Sequence, residues 1–237
     1  MRMSVEVYKT GRHSRGIVYR IKLIQRSVMK RCTRRMTNRK VKYIVGIDEA
    51  GRGPLAGPLT VAAVAWRQVY DHRKFFAGVR DSKQLSMHKR DFFYAALRAE
   101  KQAGNLMYSV SFIMPSGIDR YGLTSVLRRG VASVLRRLGI AARDAHVMLD
   151  GSLYAPADYL QETIIRGDEM VPIISLASVV AKVKRDKRMI ELARKYPEYG
   201  FEQHKGYGVP AHYAAIRKYG LCDIHRRRFL KKFDKRK

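Results

Sequence analysis

YIVGIDEAGRGPLAGPLTVAAV, residues 43–64, reads as two short strands joined by a forced turn. Tyr43–Asp48 is a β-branched run and Leu59–Trp66 is a second. Between them Gly51, Gly53, Pro54, Gly57 and Pro58 break any regular element and demand a loop. Asp48 and Glu49 stand side by side at the end of the first run. Neighbours on a strand point to opposite faces, so the two carboxylates share a site only if the chain turns there, and Ala50-Gly51-Arg52-Gly53 supplies the turn.

Working outward, strands then alternate with helices. Residues 86–102 carry Phe92, Phe93, Ala96 and Leu97 at helical spacing, with Ser86 placed to cap the start. Leu106–Ile113 alternates as a strand. Leu123, Val126, Leu127, Val131, Val134, Leu135 and Leu138 form one helical stripe, with Arg128, Arg129, Arg136 and Arg137 off it. Ala145–Asp150 is a further strand and Glu162–Arg166 a weaker one. Ile173–Ala193 reads as a long helix and Ala211–Tyr219 as a shorter one. Two early strands followed by this alternation predict an α/β domain built on a mixed sheet.

Acids are scarce against this background. The 237 residues hold 49 Lys and Arg but 20 Asp and Glu, a formal net charge of +29. Such a chain attracts polyanions, with nucleic acid the natural candidate and an anionic membrane or acidic protein the plainer ones. Residues 1–42 hold 14 of the bases and one acid, Glu6, and show no lasting apolar period. They read as a basic arm without a packed core, disordered or partly helical. An Arg-rich transit segment, or a start that truly lies at Met29 or Met36, fits the same composition. The globular domain is expected over 43–237, ending in a basic C-terminal segment. Cys32 and Cys222 have no metal-ligand or disulfide spacing. No run approaches the roughly 18 apolar residues that span a bilayer, and no secretory signal opens the chain. A monomeric, cytoplasmic protein without membrane attachment is expected.

The remaining acids of interest also end strands. Asp150 closes one and precedes Gly151, and Asp168 follows Gly167 just past the weak strand. Carboxylates at strand ends of an α/β sheet are placed to converge outside its edge. Clustered carboxylates raise one another's pKa unless a cation neutralises them, and hard oxygen ligands suit Mg2+ or Mn2+. Each acid also has a plain reading: a lone aspartate at a strand end is commonly a turn former or cap, and Asp168 suits the cap of the following helix. Asp186, among Lys182, Lys184, Arg185 and Lys187, reads as a surface ion pair.

DEAGRGPLAGP, within residues 43–64, closely resembles the opening motif of the ribonuclease HII family. DSKQLS (81–86), MLDGS (148–152), RGDEMVPIISLASVVAKVKRD (166–186), YPEYGFEQHKGYG (196–208) and HRRRF (225–229) resemble its later motifs in order, covering nearly all of residues 43–230. The resemblance implies a ribonuclease H-like fold, a mixed sheet flanked by helices with a C-terminal helical segment. It implies a metal-dependent endonuclease acting on RNA–DNA hybrids and on ribonucleotide-containing duplex DNA. It implies four metal-binding catalytic carboxylates, Asp48, Glu49, Asp150 and Asp168, with Asp168 preferred over Asp186 by its spacing of 18 from Asp150. Gly51, Arg52 and Gly53 match the loop that recognises a ribose 2′-hydroxyl, Tyr207 matches a tyrosine that stacks on the adjoining deoxyribose, and Ser82, Lys83 and Lys182 match positions near the phosphates. Two segments depart from the usual pattern: Gly151-Ser152 stands where Gly-Asn is common, and Ser175-Leu176-Ala177-Ser178 where alanines prevail. The related ribonuclease HIII class shares the carboxylates but lacks the Gly-Arg-Gly loop and carries a folded N-terminal domain. A non-catalytic, basic nucleic-acid-binding protein is the alternative that charge alone favours.

Overall fold

The computed structural model describes residues 41–69 and 86–233. Five strands among these residues form one mixed sheet: β1 (Tyr43–Ala50), β2 (Leu59–Arg67), β3 (Leu106–Ile113), β4 (Ala145–Asp150) and β5 (Leu160–Ile164), in the order β3-β2-β1-β4-β5. β1, β2 and β3 pair antiparallel, while β4 runs parallel to β1 and β5 parallel to β4. The two strands expected from residues 43–64 therefore form the hinge of the whole sheet. β1 runs two residues further than its β-branched run, so Asp48 and Glu49 still lie in the ladder, opposite Ala62 and Val61. The weak fifth strand is shifted two residues toward the N-terminus of its expected position, because the turn at Arg166, with φ of 56°, ends the extended chain.

Among the described residues the α-helices are α1 (Met87–Gln102), α2 (Pro115–Tyr121), α3 (Leu123–Leu138), α4 (Gly167–Met170), α5 (Pro172–Lys195), α6 (Phe201–His204) and α7 (Pro210–Tyr219). Ser86 caps α1 as expected, its hydroxyl accepting from the Lys89 N–H at 3.4 Å. α2 was not expected: Pro115 at its first position starts it and Gly122, with φ of 76°, separates it from α3.

Each sheet face is covered by one long helix. Val126, Leu127, Val131, Val134, Leu135 and Leu138 of α3 are buried against Val45, Ile47, Val61, Ala63, Val147 and Leu149, while Arg128, Arg129, Arg136 and Arg137 stay exposed. Each fully buried aliphatic side chain contributes roughly 1.5–3 kcal/mol. α5 covers the opposite face, and its approach to β1 is close because position 46 is glycine. A Cβ on Gly46 would stand 2.4 Å from the Ile173 backbone. Strand alternation gives Asp48 the same face as Gly46, so of the two acids of β1 it is Asp48 that points under α5.

A second apolar cluster gathers the C-terminal elements: Met189 and Leu192 of α5, Tyr199, Phe201, Ile216, Ile224 and Leu230 pack with Leu55 and Ala56 of the loop after β1. Ala56 also bridges to His225. The C-terminal segment is thereby fastened to the loop that follows the acidic pair. Of the basic arm expected over residues 1–42, residues 1–40 lie outside the described residues. Val41 is buried, and Lys42 donates its N–H to the Asp144 carbonyl at 2.9 Å, so both belong with the globular fold. No described helix is long and apolar enough to cross a membrane.

Candidate active site

Asp48 is 3 % exposed, near the end of the central strand. The β1–β4 register pairs Ile47 with Leu149, which brings Asp150 level with Asp48 on the adjacent strand. Burial first, and then the neighbouring Glu49 and Asp150 carboxylates, hold the Asp48 carboxyl well above the usual carboxylate range. The Ser178 hydroxyl of α5 and the Glu49 N–H, which donates to Asp48 Oδ1 at 2.7 Å, oppose that rise. Asp48 Oδ2 is buried and accepts no hydrogen bond.

Glu49 turns away from the strand toward Arg52, whose Nη1 donates to Glu49 Oε1 at 3.2 Å and to the Ser152 hydroxyl at 3.3 Å. Asp168 lies in α4 and is completely buried. Its backbone N–H donates to Asp150 Oδ1 at 3.3 Å, and its carbonyl accepts from the Ser175 hydroxyl. Asp168 is thus inside a short helical turn where a cap had been the plain expectation. Three of the four expected ligands stand within electrostatic reach of one another, and the fourth is tied to Asp150 by its main chain. Among the described residues no three carboxylate, imidazole or thiol groups converge into a closed ligand cage. Glu49 Oε1 is engaged by Arg52 and Asp150 Oδ1 by the Asp168 amide, which spreads the group.

The donor set nonetheless suits a hard divalent cation. An acid that is buried, raised by two carboxylate neighbours and left with an oxygen that accepts no bond is relieved by a cation taking oxygen ligands. Asp186, the rival for fourth ligand, is held in an ion pair: it accepts from Lys182 Nζ at 3.0 Å, one turn back on α5.

The loop after β1 carries Gly51, Arg52 and Gly53. Gly51 has φ of 89° and lies against the buried Arg185 side chain, where a Cβ would stand 2.1 Å from Nε. Gly53 has open space where its Cβ would be. Tyr207 is 43 % exposed, with Lys182 Nζ 5.8 Å and Arg185 Cζ 5.7 Å from its ring centre. Its carbonyl accepts from His212 Nδ1 at 2.8 Å, which requires the proton on that nitrogen. His212 Nε2 is then the acceptor for His225 Nε2 at 3.0 Å, and His225 Nδ1 accepts from the Cys222 N–H at 3.0 Å. This chain works with both imidazoles neutral, and burial lowers both, His225 to about 4. Ser82 and Lys83, expected near the phosphates, lie outside the described residues.

Three side chains were not singled out from the sequence. Ser178 faces Asp48, and Arg185 and Arg226 are fully buried beneath the glycine loop. The two arginines sit inside quoted motifs, but a cation in a chain of net charge +29 reads as surface, so nothing distinguished them.

The family model for ribonuclease HII matches residues 45–232. Ribonuclease HII of Caldicellulosiruptor bescii is 38% identical over 197 residues, covering 83% of this chain and 91% of that protein. Ribonuclease HII of Sulfurovum sp. is 38% identical over 190 residues, covering 80% and 93%. Among solved structures, ribonuclease H2 of Pyrococcus horikoshii superposes with a TM-score of 0.65 at 27% identity, over 82% of this chain and 98% of that one. The fold agrees as well, a mixed sheet flanked by helices. The chain belongs to the ribonuclease HII family.

Proposed function

We propose that this metal-dependent ribonuclease H hydrolyses the RNA strand of RNA–DNA hybrids and also cuts at single ribonucleotides embedded in duplex DNA, leaving 5′-phosphate and 3′-hydroxyl ends. The observation that carries the reading is the buried Asp48, level with Asp150 and beside Glu49, just ahead of the Gly51–Gly53 loop in the chain. Asp48, Glu49, Asp150 and Asp168 would hold Mg2+ or Mn2+. When bound, the cations stabilise charge on the phosphoryl oxygens and make water a usable nucleophile at neutral pH.

The chain's own residues supply the rest. The backbone of Gly51, Arg52 and Gly53 approaches the ribose and distinguishes its 2′-hydroxyl from hydrogen. Arg52 spans Glu49 and Ser152, which fixes its side chain at the mouth of the site. Lys182 and Tyr207 stand together, a cation for a phosphate and a ring for the neighbouring deoxyribose. Ser82 and Lys83 are assigned to the phosphates from the motif they occupy. The protein acts as a monomer on DNA in the cytoplasm, and the basic arm ahead of Val41 adds phosphate contacts without sequence or sugar discrimination. A purely phosphate-binding protein would have no use for a buried aspartate held among other carboxylates, which costs stability. The Gly-Arg-Gly loop likewise favours this reading over the ribonuclease HIII type.

The test is cleavage of an RNA–DNA hybrid with Mg2+, with Mn2+ and with chelator. Cleavage with either ion and none in chelator is expected. Cleavage undiminished in chelator, or binding with no cleavage under any ion, would contradict the reading.

A further inference from the structure

Arg185 and Arg226 are the two largest fully buried side chains among the described residues, and both spend their guanidinium groups on main-chain carbonyls. Arg226 Nη2 donates to Gly51 O at 2.6 Å and to Gly57 O at 3.0 Å, Nη1 to Arg52 O at 2.8 Å, and Nε to Gly57 O at 3.1 Å. Arg185 Nε donates to Pro58 O at 3.0 Å, and its Nη2 to Lys205 O at 2.9 Å and Ala56 O at 3.4 Å. The two therefore hold the 51–58 loop at both ends, and Arg185 also ties it to the segment leading into Tyr207. Leu55 N–H to Gly206 O at 2.8 Å, and Arg226 N–H to Leu55 O at 2.8 Å, complete the junction.

Neither guanidinium forms an ion pair among the described residues, and burial followed by the nearby Arg185 charge lowers Arg226 to about 9. An arrangement that buries two like charges is a poor device for stability alone. Its geometric effect is specific. A trans peptide sets each carbonyl opposite the next residue's N–H. Turning Gly51 O and Arg52 O inward onto Arg226 turns the Arg52 and Gly53 N–H groups outward.

We infer that Arg226, seconded by Arg185, is a positioning residue for ribose recognition: it holds the carbonyls of Gly51 and Arg52 inward so that the N–H groups of Arg52 and Gly53 are presented to the 2′-hydroxyl. The inference rests on the reading of residues 51–53 given under Proposed function. Lysine is not an equivalent here, because an ammonium keeps the charge but not the planar fan of donors that reaches three carbonyls.

The experiment compares two duplexes identical except for one ribonucleotide, with affinities measured in Ca2+ for the wild-type chain and for Arg226→Lys. Wild type should prefer the ribonucleotide duplex, and Arg226→Lys should lose about tenfold of that preference while retaining its affinity for the all-DNA duplex. A wild-type ratio of one would remove the reading of the loop itself. A clear wild-type preference that Arg226→Lys retains would overturn the positioning role alone. If Arg226→Lys does not fold, the wild-type Nε–H of Arg226 decides. Slow solvent exchange that slows further with the ribonucleotide duplex, but not with the all-DNA duplex, supports the role. Exchange at the rate of a surface arginine, or equal slowing by both duplexes, overturns it.

Discussion

Gly51→Ala and Gly53→Ala separate the two glycines that bracket Arg52. At Gly51 the new methyl would stand 2.1 Å from Arg185 Nε, 2.6 Å from its Cδ and 3.0 Å from its Cζ. The Arg185 side chain has to retreat by more than about 1 Å to restore ordinary contact. It is fully buried, and its Nε–Pro58 and Nη2–Lys205 bonds of 3.0 and 2.9 Å cannot survive that shift. Two bonds from a charged donor, at about 1.5–3 kcal/mol each, and about 1–2 kcal/mol for a side chain at positive φ, come to about 4–8 kcal/mol. Against a typical stability of about 5–15 kcal/mol, that is most of the margin. In a domain of this size it lowers the melting temperature by about 10–30 °C. Gly53 has open space and no positive φ, so Gly53→Ala should melt within about 2 °C of wild type. It should nevertheless cut a single-ribonucleotide duplex more slowly, because its methyl stands where the sugar approaches. Differential scanning fluorimetry with a parallel cleavage assay reads both. A Gly51→Ala protein melting within about 2 °C of wild type, or a Gly53→Ala protein melting as low as Gly51→Ala, would refute the packing argument.

Asp48→Asn should reduce turnover by at least about 100-fold and raise the melting temperature at pH 7.5 without divalent ions. Because the folded-state pKa of Asp48 is raised, its contribution is complete below the unfolded value and is lost as pH rises through the raised one, so the variant's advantage grows toward neutrality; a lower melting temperature than wild type would contradict this. For His225 the sign is reversed. Its folded value of about 4 lies below 6.5, so the stability it contributes is complete above 6.5 and drains as pH falls toward 4, by about 3 kcal/mol. Urea midpoints should therefore fall further between pH 7 and 4.5 for wild type than for His225→Gln, and equal falls would count against the neutral imidazole chain. Tyr207→Ala should slow cleavage at a single ribonucleotide about tenfold more than cleavage of a long hybrid, and equal losses would assign the ring to packing alone.

The sheet was legible because its signals are local. The Gly-Pro loop between two β-branched runs fixes β1 and β2, and the apolar stripe of α3 fixes the helix on one face. The places of Asp48 and Asp150 near the ends of their strands were legible from the strand pattern, and the β1–β4 register sets Asp150 level with Asp48; Asp168 stands out only through the family motif, since it lies in α4 beyond the end of β5. What could not be read was how the carboxylates divide their oxygens: Arg52 on Glu49, and the Asp168 amide on Asp150, are contacts across separations that periodicity does not encode. Arg185 and Arg226 escaped for a related reason. A buried guanidinium is recognised by the carbonyls it reaches, and apart from Lys205 O those belong to a loop far earlier in the chain, Pro58 O 127 residues before Arg185 and Gly51 O 175 before Arg226.

The most direct measurement is product analysis after cutting a DNA duplex that carries one ribonucleotide, beside the same duplex with deoxyribose at that position. The account predicts one metal-dependent nick at the ribonucleotide, with 5′-phosphate and 3′-hydroxyl ends, and none in the all-DNA duplex. A 2′,3′-cyclic phosphate would contradict attack by water, and an equal nick in the all-DNA duplex would contradict ribose recognition by the Gly51–Gly53 loop.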